Sequence, residues 1–196
     1  MSGPWLIAGL GNPGPAYAST RHNVGAMAVR SLIDEYSAKA SKHKRALADV
    51  AELRVGMPGS THQVIAACPL SYMNESGGPV SALVKFYGVE PDHLIVVHDE
   101  LDIDFATLRV KFGGGDNGHN GLKSIRGALG TGEFYRVRIG IGRPQGRQAP
   151  ADFVLQPFSG DQRAELPGLL DRAARACVSV VEDGLAATQN TFNARE

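Results

Sequence analysis

Residues 5–25 constrain the fold more than any other stretch. Trp5-Leu6-Ile7-Ala8 is a short apolar run that ends in glycine, the pattern of a buried strand entering a turn. From Gly9 to Gly25 the chain then reads GLGNPGPAYASTRHNVG. Gly9, Gly11 and Gly14 match, letter for letter, the glycine spacing of a dinucleotide-binding loop. That fingerprint also needs its third glycine in the opening turn of a helix, and an acidic residue about twenty positions on at the end of a second strand. Pro13 and Pro15 prevent a helix from starting there, and Asp34 and Glu35 fall inside a later helical pattern. The glycines therefore shape a turn, and no nucleotide cofactor is expected. The later helix, read as 20–38, takes Thr20 as its N-cap and sets Ala26, Val29, Ile33 and Tyr36 in one apolar stripe. His22 lies on the same stripe, so the run sets a histidine and the Asn12 amide beside one strand end. A lone histidine in such a place is usually a core-edge residue, and a chemical role needs partners from elsewhere in the chain.

The remaining pattern reads as strands near 47–55 and 62–68, a helix at 76–87, strands at 94–98 and 107–112, a helix at 118–129 and a strand at 135–141. Asp161–Asp183 is helical by its apolar spacing and is broken by Gly184, after which Ala186–Phe192 reads as a frayed helix. This order implies an α/β fold: one domain spanning 1–196, with a mixed, mostly parallel twisted sheet covered by helices on both faces. A chain of 196 residues buries roughly 70% of its unfolded surface, enough for one core. Leu94-Ile95-Val96-Val97 has the continuous apolar run of a central strand, with His98-Asp99-Glu100 at its carboxyl end, where ligands bind in open α/β sheets. The stretch Gly142–Pro150, rich in glycine, proline and arginine, reads as a mobile loop beside such a site.

Composition narrows the setting. Cys68 and Cys177 lie in apolar surroundings without metal-ligand spacing, and no signal peptide or long apolar span is present. A soluble, reduced, cytoplasmic protein without a membrane partner is expected. The formal charge is zero, yet Phe105–Pro150 holds eight basic residues against two acidic ones, a local +6. Arg109 and Lys111 share one strand face, as do Arg136 and Arg138, a credible seat for phosphate. A second basic cluster, Lys39, Lys42, Lys44 and Arg45 with His43, comes after the first helix. Solvated surface is the bland account of both.

Four motifs stand out in order: GLGNPG with TRHNVG, then PLSYMNESG at Pro69–Gly77, HDEL at His98–Leu101, and GGGDNGHNG at Gly113–Gly121. With FYRVRIGIGRP as a fifth block, nearly the whole chain resembles bacterial-type peptidyl-tRNA hydrolase, the esterase that frees peptides from prematurely released tRNA. The resemblance implies that His22 is the catalytic histidine, that Asp99 supports it, and that Asn12, Asn74 and Asn120 are site asparagines. It implies that Tyr17 and Met73 line the cleft, and that Lys111 and Arg138 take the terminal phosphate of tRNA, with Lys123 and Arg126 extending the contact along the acceptor stem. It also implies a preference for peptidyl over aminoacyl esters, no metal, no cofactor and a monomer. The C-terminal Thr191–Glu196 departs from the basic tail common in that family.

The chemistry of these residue types fits. Water attacking an ester needs a base, and a neutral imidazole can take its proton near pH 7. A helix N-terminus would disfavour the imidazolium, whereas a carboxylate such as Asp99 would favour it and fix the ring's tautomer. Asn120 suits a donor to the developing oxyanion, and Asn12 and Asn74 suit positioning. Other readings stay open at this level. Asn74 and Asn120 could each cap a helix, and Asp99 could belong to an acidic run whose spacing fits a calcium loop poorly. His119 could join His22 and His98 around a transition metal, although no spacing requires it. A non-catalytic RNA-binding relative is the competing class, and the retention of both His22 and Asp99 argues against it.

Overall fold

The computed structural model describes residues 3–193. Its elements are β1 (Trp5–Gly9), α1 (Val24–Glu35), β2 (Ser41–Lys42), β3 (Ala48–Met57), β4 (Ser60–Pro69), α2 (Gly77–Tyr87), β5 (Leu94–Leu101), β6 (Leu108–Phe112), α3 (Asn120–Leu129), β7 (Tyr135–Gly142), α4 (Pro150–Val154), α5 (Gly160–Asp183) and α6 (Leu185–Phe192). The strands form one seven-stranded sheet in the order β2-β3-β4-β1-β5-β7-β6. The central four, β4-β1-β5-β7, are parallel, and the flanks are antiparallel, so the expected mixed sheet is present.

Alternation along the strands assigns the two faces. Trp5 and Ile7 of β1, with Ile95 and Val97 of β5, pack against α1 and α5. Leu6, Ala8, Leu94 and Val96 point the other way, against α2 and α3. Both faces are covered, which is why these strands are apolar without interruption; burying each large aliphatic side chain contributes about 1.5–3 kcal/mol. Cys68 and Cys177 are buried in the layer against α1 and α5, and burial pushes both thiols up to about 12. No helix among the described residues is long and apolar enough to cross a membrane.

Three differences from the sequence reading matter. The helix read as 20–38 is shorter, because a 3-10 turn at Arg21–Asn23 precedes α1. Thr20 does not cap it; its hydroxyl donates to the Tyr17 carbonyl. The strand read as 94–98 runs on to Leu101, since β7 continues to pair with it there. β1 stops at Gly9, opposite Val97, so His98–Leu101 have a strand neighbour on one side only and an open flank on the other. The third is the final helix, which is docked rather than frayed. Asn193 and Gln189 offer side-chain amides to the backbone of Val110 on the edge strand β6, satisfying groups that an open sheet edge would leave unpaired. Residues 194–196 of the unusual C-terminal stretch lie outside the described residues.

The contact of α1 with the sheet is unusually close, and glycine permits it. A Cβ on Gly25 would lie 2.1 Å from the Val97 carbonyl oxygen, and one on Gly9 would lie 2.4 Å from the Gly25 oxygen. Leu10 donates to Val97 and Ala26 donates to Leu10 through backbone bonds of 3.0 Å each, so the backbones cannot separate to make room. Gly25→Ala is expected to cost about 3 kcal/mol or more, lowering Tm by roughly 6–12 °C in a thermal unfolding scan. A Tm unchanged within about 2 °C would show that the helix can shift at little cost.

Candidate active site

His22 sits in the 3-10 turn that the close approach of α1 carries toward β5. The turn is fastened from behind by Arg21, a buried cation that the sequence reading overlooked. Its guanidinium donates to the Phe153 carbonyl at 3.1 Å and lies 4.0 Å over the Phe153 ring, while its backbone N–H donates to Gln156. A buried, bonded arginine holds the segment rigidly because an unpaired one would be costly.

Asp99 projects from the open flank of β5 on the parity that faces α1, and it accepts from two histidines. His22 Nδ1 lies 2.8 Å from Oδ2, and His119 Nε2 lies 2.8 Å from Oδ1. Each facing nitrogen carries a hydrogen, because a carboxylate only accepts. His22 therefore keeps the lone pair of its neutral form on Nε2, the nitrogen turned away from Asp99. His119 is fixed at both ends: its Nδ1 accepts from the backbone N–H groups of Gly121 and Leu122, capping α3. The helix cap is thus His119 and not Asn120. Burial alone would raise the Asp99 carboxyl, but the two imidazoles and their hydrogen bonds overcome it and hold Asp99 well below the usual carboxylate range. For His22, burial works against the charged form, and the charge and hydrogen bond of Asp99 outweigh it, leaving the ring above its ordinary value.

A cavity of about 410 Å³ opens here, lined among others by His22, Asp99, His119, Asn120, Asn117 and Glu100. Asn120 is exposed on its wall, with an amide uncommitted within the described chain. The loop read at Gly142–Pro150 does stand beside the site: Ala149, Pro150, Ala151 and Val154 form the opposite wall, and α4 begins at its end.

The other residues named from the sequence are distributed around this cavity. Asn12 uses its side-chain oxygen to accept from the Met73 backbone N–H at 2.7 Å, and its own backbone is clasped by the Asn23 amide through two bonds. It lines a neighbouring groove of about 250 Å³ with Met27, Arg30 and Cys68, tying the β1 loop to the β4 loop. Met73 is buried, and Asn74 is exposed in the turn before α2 without capping it. Tyr17 packs edge-on against Tyr72 with ring centres 6.4 Å apart; neither ring lines the cavity around His22.

Lys111 and Arg138 come together in a separate basic pocket of about 260 Å³, with Arg136, Glu100, Asn117, Gly115 and Leu122. Antiparallel pairing sets Arg109 opposite Arg138 and Lys111 opposite Arg136, so the basic residues form one patch. Arg136 is 0% exposed and is spent on the carbonyls of Gly132, Phe134 and Gly114, where it pins the triple-glycine loop. The backbone makes Arg136 a structural cation, which period-two spacing could not reveal.

Among the described residues one group could hold a metal ion: His22, Asp99 and His119, whose ligand atoms lie within 4.8 Å of one another. Its donors are already hydrogen-bonded to each other, and His98 is no part of it. That ring is buried with Nδ1 donating to the Asp99 carbonyl, and burial pushes it down to about 3.

The family model for peptidyl-tRNA hydrolase matches residues 6–196. A peptidyl-tRNA hydrolase of Streptomyces coelicolor is 54% identical over 97% of the chain and 95% of its own length. One from Mycobacterium marinum is 52% identical over 99% of the chain and 100% of its own length. The crystal structure of peptidyl-tRNA hydrolase from Acinetobacter baumannii superposes with a TM-score of 0.87 at 34% identity, covering 100% of this chain and 97% of that one. The shared fold and the agreement of sequence along nearly the full length mean that this chain belongs to the peptidyl-tRNA hydrolase family.

Proposed function

We propose that this protein hydrolyses the ester joining a peptide to the 3′-terminal ribose of tRNA, with His22 as general base. The observation that carries the reading is the bond from His22 Nδ1 to Asp99, which leaves Nε2 as the basic nitrogen beside a cavity. Nε2 takes a proton from water as its oxygen attacks the ester carbonyl. The tetrahedral intermediate carries its negative charge on the former carbonyl oxygen, where the Asn120 amide donates. Its collapse breaks the bond to the ribose oxygen, which receives the proton back from the imidazolium. A base of this kind contributes about 10²–10⁴ in rate and one oxyanion donor about 10²–10³. Asn12, Asn74 and Tyr17, which lie outside the cavity of His22, receive the peptide beyond the ester, while the buried Met73 anchors Asn12 through its backbone N–H; the acylated amine is what distinguishes peptidyl from aminoacyl esters. Lys111 and Arg138 receive the terminal phosphate of tRNA, with Lys123 and Arg126 along the acceptor stem.

The test is release of intact tRNA from N-acetyl-aminoacyl-tRNA beside aminoacyl-tRNA, with EDTA present. Rapid release from the first and slow release from the second is expected; no release from either overturns the reading. In the same assay Lys111→Ala and Arg138→Ala are each expected to raise KM by about tenfold and to reduce the salt slope by about one unit. They should act much less on small esters that lack the phosphate. Equal losses on both kinds of substrate would remove the phosphate role.

A further inference from the structure

Glu100 follows Asp99 in β5 but points to the opposite face of the sheet, toward α3, and it lines both the cavity of His22 and the basic pocket. It is buried at 5% exposure. The Asn117 side-chain amide donates to its Oε1, and Asn117 holds a left-handed backbone, φ 51°, to do so, a conformation that asparagine tolerates better than most residues. The other oxygen lies 3.8 Å from His98 Nδ1. The carboxylate is therefore fixed at the boundary between the two sites.

The cations beside it are incompletely satisfied. Arg138 has a buried Nε without a hydrogen-bond partner, and, among the described residues, Lys111 and Arg138 form no direct ion pair. N–H donors without acceptors in a basic pocket call for an oxyanion. An anion that enters must accept the nearby negative charge of Glu100, in a pocket where water screens that charge weakly.

We infer that Glu100 is a specificity-determining residue: held by Asn117, it repels free small anions from Lys111 and Arg138, so that the pocket fills only with a phosphate delivered on an otherwise bound polynucleotide. This rests on the phosphate role proposed for Lys111 and Arg138. A phosphate carried by RNA overcomes the repulsion with contacts made elsewhere on the same molecule, and a free phosphate or sulfate has none. Glu100 thereby separates the substrate from the abundant small anions that carry the same group, by opposing the wrong ligand rather than by attracting the right one. The titratable and charged groups facing it are His98 on β5, a neutral ring, Arg138 and Arg136 on β7, Lys111 on β6, and His119 and Asp99 across the cavity.

The test is a titration with sodium sulfate at low ionic strength, followed by NMR on the arginine Nε–H signals, which needs no turnover. Sulfate stays dianionic across the working pH range. Glu100→Gln keeps an oxygen for Asn117 and removes the charge; it is expected to bind sulfate about tenfold more tightly than wild type. Glu100→Asp keeps the charge and is expected to retain wild-type weakness. Adding Arg138→Gln to Glu100→Gln is expected to abolish the gain. Equal or weaker sulfate binding by Glu100→Gln overturns the role of Glu100 while leaving the anion pocket intact. Absence of binding in both wild type and Glu100→Gln overturns the pocket, and this role with it. If Glu100→Gln fails to fold, equal sulfate affinity in Glu100→Asp and in a folded Asn117→Ala, whose carboxylate is released, counts against the proposal.

Discussion

His22→Ala is expected to lower kcat for N-acetyl-aminoacyl-tRNA by about 10²–10⁴-fold, the range a positioned general base supplies, while KM changes by no more than a few-fold. In the proposed role Nε2 engages the attacking water and not the bound tRNA, which places the effect on kcat. The fold should survive the change. Asp99 keeps its bond to His119, and the turn remains fastened by Arg21 to Phe153 and Gln156. The pH profile gives a second reading. The base must be neutral, and Asp99 holds the folded His22 above its ordinary value of 6.5, so wild-type kcat/KM rises as pH increases through that raised value. The alanine variant should lose this limb. A variant that keeps activity within about tenfold of wild type, or keeps the limb, would remove His22 from the role of base.

Asp99→Asn is expected to be nearly as damaging, about 10³–10⁴-fold in kcat, for a reason rooted in hydrogen bonding. His119 Nδ1 is committed as an acceptor to Gly121 and Leu122, so its Nε2 keeps a hydrogen directed at position 99. The asparagine must answer with its oxygen, which turns its NH₂ toward His22 Nδ1. That nitrogen must then present a lone pair, and the hydrogen moves to Nε2, the wrong tautomer for a base; an aspartate-to-asparagine change in a protease triad loses about 10⁴ for the same reason. Removing the charge also leaves burial unopposed, so the His22 titration should move to lower pH. Combining Asp99→Asn with His119→Ala frees the asparagine to rotate its oxygen toward His22, and roughly tenfold of the lost rate is expected to return. The double variant falling further, by the product of two independent losses, would show that His119 does not control the orientation at position 99.

The basis of both expectations was only partly legible in the sequence. Strand and helix positions came from apolar periodicity, since a sheet covered on both faces imposes it directly. The extra length of β5 and the docking of α6 were hidden because they depend on a neighbour: β7 carries the pairing past His98, and Val110 offers an edge to Gln189 and Asn193. Arg136 and Arg138 looked equivalent at period two, yet one is consumed by loop carbonyls and the other faces a pocket. His119 stayed open to a metal-ligand reading that no spacing required, because sequence cannot reveal that one of its nitrogens caps α3.

Local features of the chain account for the alternation of strands and helices, the rejection of a nucleotide loop through Pro13 and Pro15, and the functional groups available for chemistry. Those properties are local, set by dihedral restriction, side-chain period and functional group. Tertiary structure decided which of them meet. Gly9 and Gly25 let α1 press against β5 closely enough to bring His22 to Asp99, across 77 residues of chain. The same packing brought His119 to the second oxygen of that carboxylate and left Glu100, one residue on, facing the other side of the sheet. Hydrogen-bond direction at a shared acceptor depends on all of its donors at once, and only the folded chain brings those donors together.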